Sequence, residues 1–313
     1  MDLVFCGTPT FAVPTLEKLV DGGFGVKLVV TQPDRARGRG MELAPSPVKR
    51  AAIERGLPIV QPDKIKSNEE FRGLLEIIQP EAIIVVGYGR IIPQWMIDLP
   101  KLGNLNLHAS LLPKYRGAGP IQWAIANGES VTGVTTMRID AGLDTGDVLL
   151  QVEEPIRPED TALSLSPRLA HQGAELMIST LSGLANSTVH PQPQDNSKAS
   201  LAPILKREDG LIDFSRTATE TWNRLRGFQP WPGAFTVFRG KTLHLHEAMA
   251  APEVALVQAG HFVVEKDRLL LGFAHGSTLE VMELQMEGKK RMSARDFVNG
   301  YRPRSDEPLG ATE

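Results

Sequence analysis

The stretch NLNLHASLLPKYRGAGPIQ, from Asn104 to Gln122, sets a carboxamide, an imidazole and a hydroxyl at alternate positions: Asn106, His108 and Ser110. Successive side chains of an extended chain point to opposite faces, so these three share one face and Leu105 and Leu107 the other. A carboxamide N–H can donate to an oxygen that gains negative charge, and an imidazole can carry a proton near neutral pH. Buried Asn and His are costly unless hydrogen-bonded, and a satisfied polar corner is the plain explanation. Three such groups in succession at the end of an apolar strand favour a site instead.

A second polar element is RIDAGLDTGD, with Asp140, Asp144 and Asp147 among glycines. Aspartate beside glycine serves turns. A cation loop is the other option, but the spacing lacks the twelve-residue pattern that ends in glutamate. One aspartate aimed inward would stabilise the His108 imidazolium and fix its tautomer. Ser110 is not read as a nucleophile paired with His108; its hydroxyl is expected on ligand or backbone. The single cysteine, Cys6, ends the apolar run LVFC and reads as a small buried hydrophobe. It excludes an internal disulfide framework and a cysteine-based metal cluster.

Elements must carry these groups. The first half alternates short apolar runs with helical patterns: DLVFC, VKLVVTQ, LPIVQ, AIIVVGYG and LGNLNLH as strands, with helices between them. Ser46 and Pro47 mark one helix start, and Ser67 with Glu70 has capping-box spacing at another. Such alternation predicts an α/β domain with a Rossmann-like open, mostly parallel sheet, which binds ligands beyond the carboxyl ends of its strands. GVTTMRID and GDVLLQVEEPI read as two further strands and TALSLSPRLAHQGAELMISTLSGL as a long helix. The boundaries expected are a catalytic domain over 1–188, a Ser/Asn/Gln/Pro-rich linker over 189–205 and a second domain over 206–313. There, short runs such as GAFTVF, KTLHLHEA, HFVVE, RLLLGF and STLEVMELQ predict a small OB-like β-barrel. GTPTFAVP lacks the G-x-G-x-x-G fingerprint, which argues against a nicotinamide or flavin nucleotide cofactor.

The segment NLHASLLPKYRGAGPIQ, together with GLDTGDVL, resembles the folate-dependent formyltransferases. FCGTP, TQPDRARGRG, PSPVK, VVGYGRIIP and FQPWPGAFT extend the resemblance over nearly the whole chain, toward the members that formylate an aminoacyl-tRNA; Gln229 stands where Asn is usual. The resemblance implies that the formyl group of 10-formyltetrahydrofolate moves to the α-amino group of methionyl initiator tRNA. The amine is then its own nucleophile, and no Ser or Cys nucleophile is required. Asn106, His108 and Asp144 match the catalytic set: Asn106 to hold the oxyanion, His108 to move the proton, Asp144 to orient and support His108. Asp140 and Asp147 are left to shape the loop. Ser110, Leu111, Leu112 and Pro113 match the folate-contacting stretch, with Arg90, Ile91 and Ile92 as further candidates. No metal is implied.

TQPDRARGRG carries Arg35, Arg37 and Arg39, with Lys49 and Arg50 following. A charge run is by default a solvated face, but alternating Arg and Gly makes a mobile cationic loop able to order on phosphates. The resemblance sets that loop against the tRNA acceptor stem. The 313 residues carry a net charge of −3, and the second domain holds equal numbers of basic and acidic residues. RNA contact must therefore come from local patches. A formyltransferase for a small amine (an amino sugar nucleotide or glycinamide ribonucleotide), a 10-formyltetrahydrofolate hydrolase and a non-catalytic binding module are the rivals. The Arg-rich loop and second domain argue against the first. Asp2 in place of a basic leader, and no apolar run of about 20 residues, predict a cytoplasmic protein without membrane contact. A monomer is expected.

Overall fold

The computed structural model describes residues 1–37, 42–251, 257–265 and 268–310. They form two compact units: residues 1–120, 131–155 and 166–203, and residues 121–130, 156–165 and 204–313.

The first half of the chain runs β1 (Asp2–Gly7), α1 (Val13–Asp21), β2 (Gly25–Val30), β3 (Arg35–Arg37), β4 (Glu42–Ala44), α2 (Pro47–Glu54), β5 (Ile59–Val60), α3 (Glu69–Ile78), β6 (Ala82–Val86), α4 (Gln94–Ile97), β7 (Asn104–His108), α5 (Pro120–Ala126), β8 (Val131–Arg138), β9 (Val148–Pro155) and α6 (Ala162–Ala185). Seven strands make one sheet in the order β5-β2-β1-β6-β7-β8-β9. It is parallel from β5 to β7, and β8 and β9 add antiparallel. The central strands are apolar throughout because helices cover both faces; β6, AIIVV, is buried at every position. Along β9 burial mostly alternates, as suits an edge strand with one wet face. From β1 the chain moves outward to β2 and β5, then returns to β6 on the other side. The crevice beyond the carboxyl ends of β1, β6 and β7 lies at that reversal, where open α/β sheets bind ligands.

Local signals set the helix starts. Ser46 caps α2, its Oγ accepting from the Lys49 N–H at 3.0 Å, with Pro47 at the first helical position. The cap of α3 differs from the expected Ser67: Asn68 takes it, accepting from the Phe71 N–H at 2.9 Å. Asn caps as well as Ser, and here the helix starts one residue later. The Arg-rich stretch also departs from a plain loop. β3 and β4 pair antiparallel, Arg35 opposite Ala44 and Arg37 opposite Glu42, as the base of a small ribbon. Arg39 lies outside the described residues.

The second unit contains α7 (Ala218–Gly227), β10 (Ala234–Phe238), β11 (Lys241–Ala250), β12 (Phe262–Glu265), β13 (Arg268–Gly272), β14 (Thr278–Met286), β15 (Met292–Ser293) and α8 (Ala294–Tyr301). All five strand runs read from the sequence are present. They pair antiparallel in the order β10-β11-β14-β13-β12, with β15 on β14. Residues 308–310 bridge the two ends of this path: Leu309 N donates to Gly260 O at 2.7 Å, and Gly310 N to Val237 O at 2.9 Å. The interior is aromatic, with the Phe297 ring of α8 5.4 Å from Phe238 and 5.9 Å from Phe262. Among the described residues no helix is long and apolar enough to cross a membrane.

Candidate active site

The polar residues of β7 differ in burial and in the partners they bond. Asn104, at its start, is buried and spends its amide N–H groups on the Met96 and Ile97 carbonyls. Asn106 is half-buried, and its carboxamide has no hydrogen-bond partner among the described residues. His108, at the end, is 6 % exposed. Its Nε2 lies 2.8 Å from the Tyr115 carbonyl oxygen. A carbonyl only accepts, so that nitrogen carries the ring proton in the neutral imidazole. The other nitrogen, Nδ1, is left with a free lone pair, 3.7 Å from Asp144 Oδ2.

Asp144 reaches this position on a loop held from several sides. Its backbone is left-handed at φ 52°, and its Oδ2 accepts the Gly117 N–H at 2.8 Å. Asp140 shapes the loop, accepting from the Gly142 N–H at 3.0 Å and from the Thr145 hydroxyl at 2.8 Å. Asp147 contributes its backbone carbonyl to Arg138 N at 2.9 Å. Gly117 sits at φ 118°, and a Cβ there would stand 2.6 Å from the Ala202 carbonyl oxygen. Only glycine lets this backbone pass so close while donating to Asp144.

Thr135 of β8 supports the turn after β7. Its hydroxyl donates to Ser110 O at 2.6 Å and accepts from the Leu112 N–H at 3.2 Å and from Gln151 at 2.9 Å. Ser110 is fully buried and donates its own hydroxyl to the Lys114 carbonyl at 2.6 Å. That hydroxyl is committed to backbone. Leu112 is likewise buried, whereas Leu111 and Pro113 are partly exposed. Of the β6-end residues, Ile92 belongs to the core with Tyr88 and Met96, Ile91 is 92 % exposed, and Arg90 has its Nε buried without a hydrogen-bond partner. Cys6 is fully buried, and burial raises its thiol pKa well above the ordinary value.

Beside the end of β6 lies a cleft of about 240 Å³, lined by Thr8, Gln32, Arg35, Ser46 and the Gly87–Gly89 turn. Gln32 joins its two walls. Its Nε2 donates to Tyr88 O at 2.8 Å, and its Oε1 accepts from Arg35 at 2.8 Å. Lys49 is tied to Asp34 at 2.6 Å. That ammonium, with the Gln61 amide, holds the Asp34 carboxyl below the usual carboxylate range. Lys49 thus anchors the foot of the β3–β4 ribbon, while Arg35 stands exposed on it.

The sequence reading missed the Tyr115 carbonyl, the Gly117 N–H, Thr135, Gln151 and Gln194, whose Nε2 donates to the Asp144 carbonyl at 2.9 Å, as members of this assembly. Backbone donors carry no side-chain signal, and Gln194 lies in a stretch without periodicity. Among the described residues, no cluster of three or more His, Cys, Asp and Glu is arranged to hold a metal ion.

A carboxamide with free N–H groups, an imidazole with one free nitrogen and a carboxylate behind it, with no serine or cysteine nucleophile among them, are groups able to serve an acyl transfer whose acceptor supplies its own nucleophile. Comparison with known proteins agrees. Residues 1–181 match the formyl transferase family model and residues 204–302 the formyl transferase C-terminal domain, so the chain belongs to the formyl transferase family. The methionyl-tRNA formyltransferase of Koribacter versatilis is 64 % identical over 310 residues, 99 % of each chain. That of Acidobacterium capsulatum is 60 % identical over 311 residues, 99 % of this chain and all of the relative. Among solved structures, the sugar 3N-formyl transferase WlaRD, crystallised in the presence of dTDP and 5-N-formyl-THF, aligns with a TM-score of 0.67 at 21 % identity, over 93 % of this chain and 99 % of that one. At that identity the likeness concerns the fold.

Proposed function

We propose that this enzyme transfers the formyl group of 10-formyltetrahydrofolate to the α-amino group of methionyl initiator tRNA, for the initiation of translation. The observation that carries the reading is the open Asn106 carboxamide beside His108, whose free Nδ1 faces Asp144. The near-full-length likeness to two methionyl-tRNA formyltransferases at 64 % and 60 % identity supports the choice of acceptor.

As the amine adds to the formyl carbon, Asn106 donates to the oxygen that gains charge. One such donor contributes about 3 kcal/mol to the transition state. His108 accepts the amine proton at Nδ1 and becomes an imidazolium held between the Tyr115 carbonyl and the Asp144 carboxylate. It then returns that proton to the departing folate nitrogen, so one proton leaves the acceptor and one reaches the donor. Positioned acid–base work of this kind contributes about 10²- to 10⁴-fold. Ser110 acts through backbone, keeping the 110–114 turn closed.

The folate lies along Leu111 and Pro113 and the Arg90–Ile92 segment. Ser110, Leu112 and Ile92 support that wall from behind, and Arg90 and Ile91 face the ligand. Arg35, Arg37 and Arg39 contact the acceptor end of the tRNA, and Lys49 braces the foot of the ribbon that carries Arg35 and Arg37. Residues 1–188 form the catalytic part, 189–205 the connection and 206–313 the OB-like part that follows the tRNA backbone. The enzyme works as a cytoplasmic monomer. The test is formyl transfer from 10-formyltetrahydrofolate to charged initiator tRNA, charged elongator tRNA, an amino sugar nucleotide, glycinamide ribonucleotide or water alone. Transfer to the initiator alone is expected; preferred transfer to a small amine, or hydrolysis without transfer, overturns the reading.

A further inference from the structure

A left-handed aspartate persists only where its surroundings over-determine it. For Asp144 the determining side chain comes from the polar stretch after α6. Gln194 Nε2 donates to the carbonyls of Asp144 at 2.9 Å and Gly146 at 2.7 Å. Its Oε1 accepts from Arg116 Nε at 3.1 Å and Nη2 at 2.8 Å. The amide orientation is unambiguous, since a guanidinium only donates and a carbonyl only accepts. Arg116 is itself 8 % exposed, and its Nη2 also donates to Asn196 Oδ1 at 2.8 Å.

Arg116 stands between the two backbone groups that the site uses: the Tyr115 carbonyl on His108 and the Gly117 N–H on Asp144. One carboxamide therefore joins the segment that orients the imidazole to the loop that presents the carboxylate. The neighbouring chain reinforces the link, as Tyr115 N donates to Ser200 Oγ at 2.9 Å and Ala202 N to Arg116 O at 2.7 Å.

We propose that Gln194, oriented by Arg116, is a positioning residue that sets the Asp144 carboxylate against His108. The proposal rests on the formyl-transfer reading. Gln194→Glu keeps an acceptor for Arg116 but turns an oxygen without a proton toward two carbonyl oxygens, which drives the 144–146 loop away. Gln194→Met keeps similar bulk and makes neither set of bonds. Misplacement of a supporting group by about 1 Å costs on the order of 100-fold. Both variants are expected to lose about 30- to 100-fold in kcat, with KM for donor and acceptor within about twofold of the parent. Combined with Asp144→Asn, neither adds a further loss beyond about threefold, because both changes act through one carboxylate. A merely structural role predicts multiplied losses and weakened donor binding in titrations.

The proposal fails if both variants keep kcat within about threefold of the parent, or if the losses multiply with Asp144→Asn. It also fails if both variants lose donor binding, since Gln194 would then hold the unit together and not aim Asp144. A parent chain that moves no formyl group to methionyl-tRNA overturns the formyl-transfer reading itself, a result separate from any effect at Gln194.

Discussion

Replacing Asp144 with Asn removes one charge and almost no volume, so its effect measures the electrostatic support of His108. Asp144 Oδ2 lies 3.7 Å from His108 Nδ1, with the two side chains 19 % and 6 % exposed. At an effective dielectric of about 20, unit charges at that separation attract by about 4 kcal/mol. The attraction exists only while the imidazole is protonated, so it lowers the barrier and not the ground state. An Asn oxygen still accepts the Gly117 N–H and keeps part of the dipole, which leaves about 2–3 kcal/mol lost, or about 30- to 200-fold in rate. Single-turnover formylation of charged initiator tRNA, quenched with acid at set times, reads this directly. Thermal melting of the same preparation reports the fold. A loss below about fivefold, with melting unchanged, refutes the role given to Asp144.

Three further outcomes follow from the geometry. Gly117→Ala forces a Cβ into a left-handed position 2.6 Å from the Ala202 carbonyl oxygen, which costs about 3 kcal/mol. Calorimetry should show the melting of that unit falling by about 6–12 °C, with turnover reduced as well. Changing Arg35, Arg37 and Arg39 together to Gln should raise KM for tRNA at least about tenfold and flatten its salt dependence, while donor affinity stays within about twofold; equal loss of donor affinity removes the ribbon from RNA binding. Burial, then His246 and Arg207 nearby, hold His244 below the ordinary imidazole value. The unfolded chain therefore takes up that proton first as pH falls below about 6.5, and stability drops with it. Melting curves between about pH 7.5 and 5.5 should show this slope, and His244→Asn should reduce it.

The strands and most helices were legible because their apolar residues follow the period of the element and their caps are local. The Ser46 and Pro47 signals act within one turn, and the structure uses both of them. The cap at Asn68 was misread by one residue because adjacent Ser and Asn compete for the same role. The Arg-rich stretch was read as a loop because three-residue strands leave almost no periodicity. Asn106, His108 and Asp144 were visible as residue types at a strand end and in a glycine loop, and the structure brings His108 and Asp144 within 3.7 Å. Their support was not visible. Thr135, Gln151 and Gln194 lie up to 86 residues from His108 in sequence, and nothing local distinguishes them from surface polar residues. Ser110 shows the converse: the alternation rule stops where the strand stops, and two residues past that point the hydroxyl is spent on the Lys114 carbonyl.

The bridge at residues 308–310 makes the end of the second unit a closing stave. With it in place, the Leu309 and Gly310 N–H groups occupy the carbonyls of Gly260, just before β12, and of Val237 on β10. Trimming the chain back past Pro308 would free the Gly260 and Val237 carbonyls, points at which another strand could pair and sheet-by-sheet aggregation begin. A fusion attached after Gly310 leaves the stave intact, whereas one attached after Ser305 displaces it, and the two should differ in solubility before they differ in activity.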